Sequence, residues 1–178
     1  MATSTAQIAG YLERRSLKFI REDDKNRVTV PFTLENSDRI IVVIGLEENG
    51  EFLKIICPNL LRYLDGPHKL PLMQSLLMVS WETKMLQWEY DPGDGEVRAI
   101  IEFPIEDSLL TERQFFRAFT GLVTLIQTYL PRLKAVAETG KDPGREGHDT
   151  PTDRWIEELR RHLDERERGG SQPPPDAI

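Results

Sequence analysis

Between Met85 and Phe119 two alternating runs lead straight into a long helical pattern, and that order leaves few folds open. Leu86, Trp88 and Tyr90 alternate with Gln87 and Glu89; Val97, Ala99, Ile101 and Phe103 then alternate with Arg98, Ile100 and Glu102. Period 2, met twice, predicts two strands that each bury one face. Between them Asp91-Pro92-Gly93-Asp94-Gly95 fixes one φ with proline and admits positive φ at glycine, so the chain reverses. Thr111 and Gln114 next form a capping box, after which Phe115, Phe119, Leu122, Ile126, Tyr129, Leu133 and Val136 recur at steps of four and three. Phe116, Val123, Leu130 and Ala137 widen the stripe beyond a coiled-coil seam, which suits packing on a sheet. A sheet with a helix laid across it is therefore the expected core. Pro131 lacks a backbone donor and predicts a kink or break near Leu130, and Gly140 predicts the stop.

Upstream, Ser4 and Gln7 resemble a capping box, and Ile8, Tyr11, Leu12 and Phe19 fall near one face of a first helix. From Arg27 to Cys57 the pattern predicts a meander of three strands. Val28, Val30 and Phe32 alternate, Glu35–Asp38 turns the chain, and Arg39–Leu46 is a β-branched run apolar on both faces, which marks a central or doubly covered strand. Asn49-Gly50 is a strong hairpin signal before Leu53, Ile55 and Cys57. Pro58 is expected to end the meander, with one helical turn over Asn59–Leu64.

A second helix is predicted over Leu72–Lys84. Leu72, Met73, Leu76, Leu77, Met78, Val79 and Trp81 leave only a narrow polar edge, so it should be covered on more than one side. Its own sheet supplies one cover. The other is either the terminal helices or a second copy of the protein.

Past Gly140 the composition shifts. Residues 140–151, rich in Gly, Pro and charge, are expected to be a linker. Residues 152–168 predict a short amphipathic helix with Trp155, Ile156, Leu159 and Leu163 on one side, and residues 169–178, with three consecutive prolines, predict disorder. An isolated helix this short is not stable in water, so this segment must dock on its own domain, on a partner, or on another protomer.

The net charge of −7 is spread along the chain: Gly140–Ile178 holds seven basic and ten acidic residues, and the rest holds sixteen and twenty. Neither part has the positive field that phosphate backbones or anionic lipids require, so no nucleic acid and no membrane partner is expected. Nowhere do about 18 apolar residues run together, and Met1–Thr5 does not start a signal peptide. With Cys57 the only cysteine, a cytoplasmic setting is the expectation.

Catalytic and metal motifs are sparse. Asp91, Asp94 and Glu96 around two glycines invite a divalent-ion reading, but the spacing departs from a calcium loop and a plain turn explains them. His68, His148 and His162 are too scattered for a local metal motif, and no phosphate loop, dinucleotide fingerprint or nucleophile elbow is present. No cofactor and no enzymatic activity are expected.

The order helix, three-strand meander, helix, hairpin, long helix resembles the type III secretion chaperone-like fold, in particular the YbjN-type family. The likeness is carried by Val79-Ser80-Trp81 ending the second helix, Lys84–Tyr90, Asp91–Gly95, Val97–Phe103, and Thr111 opening the last helix, and it covers Ala6 to Thr139. The asparagines associated with the end of that family's second helix are replaced here by Ser80 and Glu82. The resemblance implies a bacterial, non-enzymatic, acidic homodimer that holds a segment of a client protein, or a sensory or stress regulator.

The expectation is thus an α+β domain over residues 1–139, with a five-stranded, mostly antiparallel sheet, followed by the linker and accessory helix. Its expected role is that of a protein-binding adaptor or chaperone-like regulator, a homodimer paired through Met73, Leu77, Met78 and Trp81. Trp155, Ile156, Leu159 and Leu163 would dock the tail. The alternative is a small-molecule or divalent-ion sensor using the Asp91–Glu96 loop or a pocket under the long helix.

Overall fold

The computed structural model describes residues 2–106 and 108–144. Among them the chain forms six strands and three α-helices. Helix α1 (Thr5–Arg14) precedes β1 (Ile20–Glu22), β2 (Arg27–Thr33), β3 (Arg39–Glu47) and β4 (Phe52–Arg62). Helix α2 (Lys69–Glu82), the hairpin β5 (Gln87–Tyr90) and β6 (Glu96–Pro104), and helix α3 (Glu112–Thr139) complete the described chain. The strands make one antiparallel sheet in the order β1-β2-β3-β4-β6-β5. The α+β architecture is as expected, with one strand more.

That extra strand is β1. Helix α1 ends at Arg14, and Ser16 turns the chain with φ at 54°. Leu17 and Phe19 therefore reach the core from extended chain, not from the helix face expected for Phe19. Three residues, two of them charged, are too few to show a period, and only pairing with Arg27–Thr29 makes them a strand.

Pro58 does not end the meander, and no helical turn forms over Asn59–Leu64. Strand β4 continues to Arg62 through a bulge, where its register against β6 slips between Cys57 and Leu61. A proline is tolerated in a sheet where the ladder is already interrupted. Asn59 sits at φ 54°, and its N–H donates to the Glu96 carboxylate at 2.8 Å instead of to a neighbouring strand.

One face of the sheet carries the core. Val28, Val30, Val42, Ile44, Leu53, Ile55, Cys57, Val97, Ala99 and Ile101 alternate onto it and are all buried. Helix α3 lies across β4 and β6, α1 covers β1 and β2, and α2 packs beside α3 and over β5. Phe115, Phe119, Leu122, Ile126, Leu133 and Val136 of the α3 stripe are at most 2% exposed, so the stripe is spent on the sheet as expected. Thr111 and Gln114 cap α3 reciprocally, and Gly140 ends it in the left-handed region. The expected break at Pro131 is absent. Pro131 lies on the exposed side of α3, where a carbonyl deprived of its helical donor can take water instead.

The joint between α1 and α3 is polar. Tyr11 O–H and Gln7 Nε2 both donate to the Leu110 carbonyl, at 2.6 and 3.0 Å, and the Leu110 N–H donates to Thr3 Oγ1. These bonds fix the turn from which α3 starts.

Candidate functional site

Helix α2 is apolar on two sides, and only one is used. Leu72, Leu76 and Val79 are buried, and Met73 packs partly against the same core. At 100° per residue Leu70, Leu77 and Trp81 fall within roughly 40° of arc on the opposite side. They are 78%, 74% and 67% exposed. Met78, 43% exposed, flanks this ridge, and Met85, just past the helix, is also exposed. Among the described residues helix α3 covers one flank of α2, and the ridge stays exposed. Scattered exposed apolar residues are ordinary, whereas apolar residues aligned along one side of a helix form the kind of patch that interaction sites use.

Of the four residues expected at a self-association surface, Leu77 and Trp81 lie on the ridge, Met78 flanks it, and Met73 packs partly against the core. Leu70 was missed because the helix begins three residues earlier than its pattern suggested. Pro71 sits in the first turn, where a missing N–H costs nothing. The tail residues Trp155, Ile156, Leu159 and Leu163 lie outside the described residues.

The ridge is held rigid from behind. The His68 N–H donates to Tyr63 Oη at 3.0 Å, and His68 Nδ1 pairs with the Ala137 carbonyl at 3.0 Å, which requires the ring proton on that nitrogen. Further along, Arg132 of α3 is only 7% exposed. Its guanidinium donates two parallel bonds to Asp142, at 2.7 and 2.9 Å, and Nη1 reaches the Glu82 carboxylate at 3.1 Å. The Asp142 bonds, with Glu82 behind them, raise the Arg132 pKa above its ordinary value against the opposing pull of burial. Ser75 Oγ also donates to Asp142, at 3.0 Å. One buried cation thus ties the C-terminal end of α2 directly, and its middle through Asp142, to α3 and to the chain just beyond it. Nothing in the sequence singled out Arg132 beyond its place beside the α3 stripe.

The acidic loop is occupied with its own geometry. Asp91 accepts from the Gly93 N–H at 2.7 Å, Asp94 accepts from the Glu96 N–H at 3.0 Å and pairs with Arg62, and Glu96 is taken by Asn59. Among the described residues no group of three or more His, Cys, Asp and Glu side chains is gathered for a metal ion. Cys57 is fully buried on β4, and burial pushes its thiol pKa up to about 12. Such a thiol is a small hydrophobe, not a nucleophile.

Among the described residues, hollows lie beside α3. One of about 460 Å³ is walled by Phe32, Thr33, Phe119 and Val123, and another of about 250 Å³ lies near Ile41, Leu60 and Leu130. No helix among the described residues is long and apolar enough to cross a membrane.

Two solved structures share this arrangement of sheet and helices. YbjN from E. coli superposes with a TM-score of 0.52 at 10% identity, over 71% of this chain and 90% of that one. A chain of the ExsC–ExsE complex superposes with a TM-score of 0.52 at 15% identity, over 72% and 92%. The fold is the type III secretion chaperone-like fold. No protein-family model matches the sequence, and no curated protein matches it. At such identities the likeness concerns the backbone, so functional argument has to start from this chain's own surface.

Proposed function

We propose that this protein is a non-enzymatic adaptor or chaperone-like regulator that engages a segment of a partner protein and pairs with a second copy of itself through α2. The observation that carries the reading is the ridge Leu70–Leu77–Trp81, with Met78 beside it, exposed along a helix whose opposite side is locked into the core. Two such ridges laid together would remove their apolar area from water at roughly 25 cal/mol per Å². Methionine at the flank lets the packing adjust. A chain of this fold takes part in the ExsC–ExsE complex, which supports a protein-binding role. The 460 Å³ hollow between β2 and α3, with an aromatic floor and threonine rim, is where an apolar side chain of a client would sit.

The test is analytical ultracentrifugation of the full chain. A dimer at tens of micromolar, converted to a soluble monomer by Leu77→Glu with an unchanged circular dichroism spectrum, supports the reading. A wild-type monomer over that range overturns the self-association half of it.

A further inference from the structure

Strands β3 and β4 separate half-way along β3. Strand β3 pairs with β2 from Arg39 to Gly45, but with β4 only from Val43 to Glu47. Past Ile56, β4 follows β6 through the bulge at Pro58, so among the described residues no strand is laddered against Arg39–Val42 on that side. The Ile41 N–H turns to the Cys57 thiol, which marks where the split closes. Main-chain groups alternate in direction along a strand, so Arg39, two residues earlier, also turns its N–H and C=O into the opening. Across the gap Pro58 has no N–H to offer, and the Asn59 N–H is taken by Glu96.

The opening is the hollow of about 250 Å³. That is room for about eight waters at the roughly 30 Å³ each occupies in the liquid. Ile40, Leu60 and Leu130, all buried, give it apolar walls, and Ile41 stands half-exposed at its rim. Its charges do not cancel. Lys134 Nζ and Asp38 lie 2.6 Å apart and neutralise each other. Arg39 is exposed, and among the described residues its guanidinium has no carboxylate partner. Arg62 holds the Asn59 side-chain oxygen at 2.9 Å, which leaves the amide N–H groups for an acceptor.

We propose that this opening binds a carboxylate carried on a short aliphatic body, as a free acid or as the C-terminal residue of a polypeptide. The aliphatic part lies against Ile40, Leu60 and Leu130, and the carboxylate meets the Arg39 guanidinium, which offers it paired donors. The split is blind at Ile41 and Cys57, so a polypeptide enters only by its end, and the charge of Arg39 selects the carboxyl end over the amino end. The site lies apart from the α2 ridge and stands or falls separately from pairing through α2.

The test is methyl NMR on the full chain, titrated with three probes. N-acetyl-leucine carries the body and the charge, N-acetyl-leucinamide lacks the charge, and N-acetylglycine lacks the body. N-acetyl-leucine should shift the Ile41 and Leu60 methyl signals saturably and leave Leu77 on α2 fixed. Loss of the charge, in the amide probe or in Arg39→Gln, should weaken binding about tenfold or more, as expected for a hydrogen bond to a charged group. Arg39→Lys should recover part of that loss, and N-acetylglycine should bind more weakly than N-acetyl-leucine. A tetrapeptide ending in leucine with a free carboxylate settles the source. Tighter binding than N-acetyl-leucine assigns the site to a chain end, and equal or weaker binding assigns it to a free acid. The proposal is overturned if neither N-acetyl-leucine nor the tetrapeptide shifts Ile41 and Leu60 saturably up to tens of millimolar. Undiminished binding in Arg39→Gln, or of N-acetylglycine, also overturns it.

Discussion

Arg132 on α3 and Glu82 at the end of α2 approach to 3.1 Å, and the same guanidinium holds Asp142 in a bidentate grip. A cation buried to this degree is committed to its partners, since removing one member of a buried pair leaves an uncompensated charge.

Arg132→Met should therefore destabilise the domain by about 3 kcal/mol, near the low end of the range for breaking a buried pair because Asp142 is still 24% exposed. Replacing Glu82 by Gln in the same chain should recover part of the loss. Urea denaturation followed by circular dichroism measures both. A loss below about 0.5 kcal/mol for Arg132→Met would show that the pair does not hold α2 to α3.

Gly95 closes the β5–β6 turn with φ at 75°, and a Cβ there would stand 2.3 Å from the Leu64 backbone nitrogen. Gly95→Ala must therefore both strain the backbone and push Leu64 away, where Tyr63 and Gly95 now share a 2.8 Å backbone hydrogen bond. A cost of about 2 kcal/mol or more is expected. A thermal midpoint equal to wild type would contradict this geometry.

Cys57 should resist thiol reagents in the native state at neutral pH, since burial both blocks access and holds the thiol pKa near 12. Labelling with an aromatic disulfide should proceed only at the rate of unfolding and become fast in denaturant. Rapid labelling of the folded protein would mean that β4 opens locally.

Glu22 offers a pH readout. Its hydrogen bonds to Arg27, and then to Lys25, hold the carboxyl pKa at about 2. Because that lies below the ordinary glutamate value of about 4.3, the pair's contribution is present above the ordinary value and fades as pH falls toward 2. A carbon-detected NMR titration should place the Glu22 midpoint well below the other exposed glutamates. A midpoint near 4.3 would show that the pair is not formed in solution.

The parts of the fold visible in the sequence are those governed by local rules. The β5–β6 alternation, the Asp91–Gly95 turn and the Thr111–Gln114 box each depend on residues a few positions apart, and each stands as expected. Strand β1 and the bulge at Pro58 depend on partners far along the chain, Thr29 for Ile20 and Glu96 for Asn59, so no local period could reveal them. The ridge was half visible. An all-round apolar helix announced apolar residues beyond those the core uses, but Leu70 lay hidden before Pro71. Arg132 gave no signal because its meaning comes from Glu82 and Asp142, which only the fold brings to it.

The central claim is that the outward side of α2 is where another helix rests, and methyl NMR over a dilution series tests it most directly. As protein concentration rises, the Leu70, Leu77 and Met78 methyl signals should shift together, while those of Leu122 in the core and Leu109, exposed elsewhere, stay fixed. Ridge signals that stay fixed while the mass doubles would place the contact on another surface and contradict the account.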